Sequence, residues 1–208
     1  VQTSWRDPED YFWYRDLDKN SPANSSAIEA IKNAKKLLEP KESSTHATDA
    51  SLEELLAALN SLRARLNSGE VHVGLTHYAE GILGQGCEAI VSRKLLASAP
   101  TPPTAAQDLS FTKLLEIVAK SDNPEMNEDI EAQFEKSAAW GSPAARVEAA
   151  QAYWDLFIQR PDLYPKLKTQ AEKLLSDPHP AVRLSGAVRL IRIWRWIVSA
   201  SGIFWKRD

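Results

Sequence analysis

The chain has 208 residues, 43% hydrophobic and 25% charged, with a net charge of −3 at pH 7. That is the composition of a soluble globular protein, long enough for one large domain or two small ones. It argues against a dedicated nucleic-acid binder, while leaving room for a local basic face. No apolar run approaches the roughly 20 residues of a membrane helix, so no membrane insertion is expected.

Strand-type alternation is almost absent and helical spacing is everywhere, which predicts an all-α class. The one cysteine, Cys87, excludes an internal disulfide framework and fits a reducing, cytoplasmic setting. No basic-then-apolar secretion signal opens the sequence. The chain starts at Val1 and its only methionine is Met126, so the expectation is a processed chain or an excised fragment.

In chain order, residues 1–24 form an aromatic and acidic segment: Trp5, Tyr11, Phe12, Trp13 and Tyr14 among Asp7, Glu9, Asp10, Asp16 and Asp18. So many rings in so short a piece are expected to cover the helical body or to dock a partner. Residues 25–98 read as a helical bundle. Its first helix is expected from a Ser25 or Ser26 cap to Glu39, with Ile28, Ile31, Leu37 and Leu38 on one side. Pro40 to Asp49 reads as a polar loop. Ser51 and Glu54 have capping-box spacing, and Leu52, Leu55, Leu59, Leu62 and Leu66 follow as a seam for a neighbouring helix.

Val71 to Ala97 carries Gly74, Gly81, Gly84 and Gly86. Those glycines predict a bent helix or a break near Gly84–Gly86, and permit close helix contacts. Gly84 to Ala89 also spells G-x-G-x-x-A, but without the buried strand that a dinucleotide loop requires. Residues 99–108, with Pro100, Pro102 and Pro103, read as a Pro-rich linker between the bundle and a repeat region, 109–208. Within that region Leu109 to Ser121 is amphipathic, with Leu114, Leu115, Ile117 and Val118.

One pattern then occurs twice, 37 residues apart: Gln133-Phe134-Glu135-Lys136 returns as Gln170-Ala171-Glu172-Lys173, and Pro143-Ala144-Ala145-Arg146-Val147 as Pro180-Ala181-Val182-Arg183-Leu184. Apolar positions repeat in the same register: Tyr153 with Leu190, Trp154 with Ile191, Phe157 with Trp194. A shared period of this length predicts stacked helical hairpins. Expected helices cover Met126 to Trp140 and Pro143 to Gln159, then Pro165 to Ser176 and Pro180 to Ser199, with Pro143 and Pro180 in first turns.

Asp177-Pro178-His179-Pro180-Ala181-Val182-Arg183, followed by Ala187 and Leu190, resembles the turn and second helix of a HEAT repeat. Gly141 to Arg146 is a looser copy without the turn aspartate. The resemblance covers about residues 126–199 and implies an α-solenoid. Asp177, Pro180, Arg183, Pro143 and Arg146 would then be structural repeat positions, and the function a scaffold or binding surface for proteins, sometimes for nucleic acid.

No catalytic constellation stands out. His72 and His77 are five apart and fall on different helix faces, and His179, in a repeat turn, is expected to be exposed or bonded locally. Cys87 has no basic neighbour and reads as an inert buried thiol. No metal or cofactor is expected. The best functional signal is charge: from Arg160 onward there are ten basic residues against four acidic ones. Candidate partner-binding residues are Lys166, Lys168, Arg189, Arg192, Arg195, Trp194, Trp196 and Trp205. The first expectation is a protein-interaction module belonging to a larger chain or complex. The second is phosphate-backbone binding by the basic face. The third is an enzyme with a cleft lined by Trp140, Trp154 and a buried carboxylate.

Overall fold

The computed structural model describes residues 16–39, 50–67, 70–97, 102–136 and 144–200, with side chains to residue 194. Among them are eight α-helices, one 3-10 turn and no strand. The helices are α1 (Pro22–Leu38), α2 (Leu52–Leu66), α3 (Val73–Ser92), α4 (Ala105–Val118), α5 (Ile130–Lys136), α6 (Ala145–Gln159), α7 (Tyr164–Leu175) and α8 (Pro180–Ala200); the 3-10 turn Pro161–Leu163 precedes α7. The all-α class is therefore as expected.

α1 begins at Pro22, earlier than the expected serine caps, because proline's preset φ opens the helix directly behind Ser21. Asn24 faces inward instead. Its amide donates to the Asp18 carbonyl and its oxygen accepts from the His72 N–H, pinning the start of α1 to the start of α3. The capping box of α2 forms as read, with Glu54 N–H donating to Ser51 Oγ and Ser51 N–H to Glu54 Oε2. Leu55, Leu59 and Leu62 of its seam are buried.

α3 lies against α1, α2, α4 and α6. It runs unbroken through Gly84-Gln85-Gly86, so of the bend or break expected there the break does not occur. The glycines act as close approaches. A Cβ on Gly84 would sit 2.9 Å from the Ala145 Cα and 3.0 Å from its carbonyl oxygen, on α6; one on Gly86 would strike the Leu59 side chain. The helix keeps its own ladder through this stretch, so packing outweighs the propensity cost of roughly 1 kcal/mol per glycine. The G-x-G-x-x-A run is thus helix interior, with no loop to cradle a phosphate.

α4 starts inside the stretch read as linker: Thr104 and Gln107 form a second capping box. α6 packs on α3, α4, α7 and α8, while α5 has α8 as its main neighbour. One cluster of buried side chains runs from Ile28 on α1 to Val182 on α8. Polar ties reinforce it: Gln159 donates to the Val91 carbonyl at 2.8 Å, and Arg160 forks onto Asp108 at 2.9 Å through both Nη1 and Nη2.

Candidate interaction face of the last helix

The turn before α8 is built from short-range bonds. Asp177 Oδ1 accepts from the His179 N–H at 2.8 Å, and His179 Nδ1 accepts from the Ala181 N–H at 3.2 Å. Both satisfy donors that a helix start would otherwise leave orphaned. His179 is fully buried, and of the two arrangements expected for it, exposed or bonded locally, the local bonding is the one present. Burial, and then the Arg146 guanidinium, hold its imidazole below the ordinary histidine range.

Arg146 of α6 reaches this turn. It donates from Nε to Asp177 Oδ2 at 3.0 Å, from Nη1 to the Ser121 carbonyl at 2.6 Å and from Nη2 to the Pro124 carbonyl at 2.8 Å. Arg183, its counterpart 37 residues on, donates to the carbonyls of Asp177 and Pro178 and pairs with Glu131 of α5. Asp177, Pro180, Arg146 and Arg183 thus meet around one turn. Pro143 lies outside the described residues.

α8 presses on α6 and α7 at Gly186, where a Cβ would come within 2.9 Å of Leu175 Cδ2 and 3.4 Å of Trp154 Nε1. Next along, Arg189 donates to Gln151 Oε1 at 2.8 Å and pairs with Asp155 at 3.2 Å, both on α6. The same guanidinium opposes the burial that raises Glu88 of α3 above the ordinary carboxyl range. Arg189, a candidate binding residue, is therefore held by α6.

The other candidates separate. Lys166, Lys168, Arg192 and Trp194 are exposed. The side chains of Arg195 and Trp196, and the whole of Trp205 and Trp140, lie outside the described residues. Trp154 is buried against Phe157, ring centroids 5.6 Å apart, in the core. No group of His, Cys, Asp and Glu suited to a metal occurs among the described residues. Cys87 is free and buried, and burial pushes its thiol well above the ordinary range, so no nucleophile is poised there. No helix is long and apolar enough to cross a membrane among the described residues.

The outer face of α8 is the distinctive surface. Leu184, Val188, Leu190, Ile191 and Trp194 are all exposed. They share one broad arc of the helix, since residues three, four and seven apart lie together. Of these only Trp194 is among the binding residues expected from sequence; the helical spacing of Leu184, Val188 and Ile191 is the signal that marks the others.

The repeat register sharpens this. Tyr153, Trp154 and Phe157 of α6 are 0%, 6% and 9% exposed, and their counterparts Leu190, Ile191 and Trp194 are 38%, 58% and 66% exposed. The same positions are buried on one helix and open on the other. Comparison of the chain with protein-family models, with curated proteins and with solved structures finds no match.

Proposed function

We propose that this protein is a non-enzymatic α-helical interaction module that docks a protein partner, or a further part of a longer chain, on the outer face of α8. The observation that carries the reading is the contrast just given. α6 buries Tyr153, Trp154 and Phe157 within the helical body, and α8 offers the equivalent side chains to solvent. A contiguous run of large apolar side chains on a surface helix is what interfaces present. The HEAT resemblance points the same way, because repeat hairpins bury one another's faces and use the open ones for binding.

Phosphate-backbone binding is favoured less. Of the basic residues behind it, Arg183 is engaged by Glu131 and Arg189 by Asp155, while Arg192, Lys166, Lys168 and Lys173 are exposed. An apolar arc suits base stacking only where many cations line the groove. The enzyme reading draws less support: Trp154 is packed in the core against Phe157, and Asp155, the carboxylate next to it in the chain, is engaged by Arg189.

A photoreactive residue placed at 191, with one at buried position 182 as control, tests the docking site in lysate of the source cells. Adducts to a discrete protein from 191, lost when Trp194 is changed to Glu, are expected. If 191 gives no more adducts than 182, α8 is not the docking site.

A further inference from the structure

The way α8 sits on α6 indicates what would sit on α8. At the first contact, Arg189 of the covering helix meets Gln151 and Asp155 of the covered one. Shifted by the 37-residue register, Gln151 becomes Val188 and Asp155 becomes Arg192. The acceptor amide is replaced by an apolar side chain and the carboxylate by a guanidinium. Val188 and Arg192 are both exposed. Covered and covering helices thus meet through an anion on α6, but the same position on α8 offers a cation.

Resting on the docking reading above, we infer that the partner is an amphipathic helix carrying an acidic residue opposite Arg192 and apolar residues opposite Val188, Ile191 and Trp194. α8 contains four arginines and no Asp or Glu, so nothing on its own strand of sequence neutralises Arg192. A covering helix with α8's own sequence is disfavoured, because its Arg189 would fall against Arg192 and like charges at a buried contact are costly. Nucleic acid would leave Leu184, Val188, Ile191 and Trp194 facing phosphates. The small residue Gly186 above Trp154 adds a steric element. The corresponding site on the partner, above Ile191, should also be small, so that the helices approach closely.

The test selects an unbiased displayed library of helical peptides on the full chain, in parallel with the Ile191→Glu and Arg192→Glu variants. Both positions are exposed, and unchanged helix content and melting by circular dichroism verify that the variants fold. Selected peptides are expected to carry apolar residues at helical spacing with a flanking Asp or Glu, and to fail on Ile191→Glu. Their affinity should fall about tenfold on Arg192→Glu and weaken with salt, and selection on that variant should turn to Lys or Arg.

Peptides that depend on Ile191 but show no acidic preference, or none that responds to Arg192→Glu, overturn the partner class and leave the docking site standing. If no Ile191-dependent peptide emerges, both fail. Ile191-dependent self-association in sedimentation would assign the face to a second copy instead. Ile191-dependent binding of a synthetic peptide of residues 1–15 would assign it to the chain's own aromatic, acidic segment. Either overturns the inference, as does steeply salt-dependent binding of an oligonucleotide that competes with the peptides.

Discussion

Asp177 accepts from two nitrogens of Arg146 and from the His179 N–H, at a site where both partners of the ion pair are about nine-tenths buried. Removing one partner of such a pair strands the other charge away from water. Asp177→Ala is therefore expected to cost about 3–5 kcal/mol in urea unfolding, and Arg146→Met nearly as much. Because the two losses share one cause, the double variant should lose clearly less than the sum. Additive losses would mean that the pair is not coupled. His179 beside them carries a pH dependence. Its folded pKa is depressed below the ordinary value of 6.5, so the unfolded chain takes up the proton first as pH falls. Its contribution to stability is complete above about 6.5 and is lost as pH falls from there through the depressed folded value. Protonation at Nδ1 would also end its bond from the Ala181 N–H. The urea midpoint should drop between pH 7.5 and 5 in the native chain. His179→Asn, which keeps an acceptor but does not titrate, should flatten that drop. An equal drop in both would place the titration elsewhere.

The helices show two kinds of legibility. Local signals were readable wherever the chemistry lies within four residues. The Ser51–Glu54 box formed as spelled, and the Thr104–Gln107 box was equally present in the letters but masked by the prolines before it. Glycine was the misleading signal. The propensity of an isolated helix disfavours four glycines in twenty residues, yet α3 is continuous through them, with α2 and α6 approaching at Gly86 and Gly84. Gly84→Ala tests which effect dominates. Alanine gains roughly 1 kcal/mol of helix propensity, but its Cβ meets the Ala145 backbone, which cannot rotate away, and overpacking of this kind costs about 1–3 kcal/mol. A net loss of stability and weaker protection of α6 amides in hydrogen exchange are expected. A gain in stability would show that α3 and α6 part easily.

At the scale of the molecule, the α3–α6 packing and the Arg160–Asp108 and Gln159–Val91 ties join the first half to the second. One continuous core predicts one cooperative transition. Far-UV circular dichroism reports all the helices, and tryptophan emission mainly the second half. The two should give coincident urea curves, whereas separated midpoints would show the halves unfolding independently. The all-α class, the seam of α2 and the two ends of α7 and α8 could all be read from periodicity and caps, because those depend on neighbours in the chain. The 37-residue spacing of like side chains is a feature of the sequence too, but whether each of those positions is covered was not readable there. Leu190, Ile191 and Trp194 carry the same apolar character as Tyr153, Trp154 and Phe157, and side-chain chemistry alone sorts both sets as core. Which set meets a neighbour, and which arginines find a carboxylate, depends on how helices far apart in sequence come together. Burial and ion pairing are properties of that arrangement, so they emerge with the packing of α8 on α6 and not from the order of the residues.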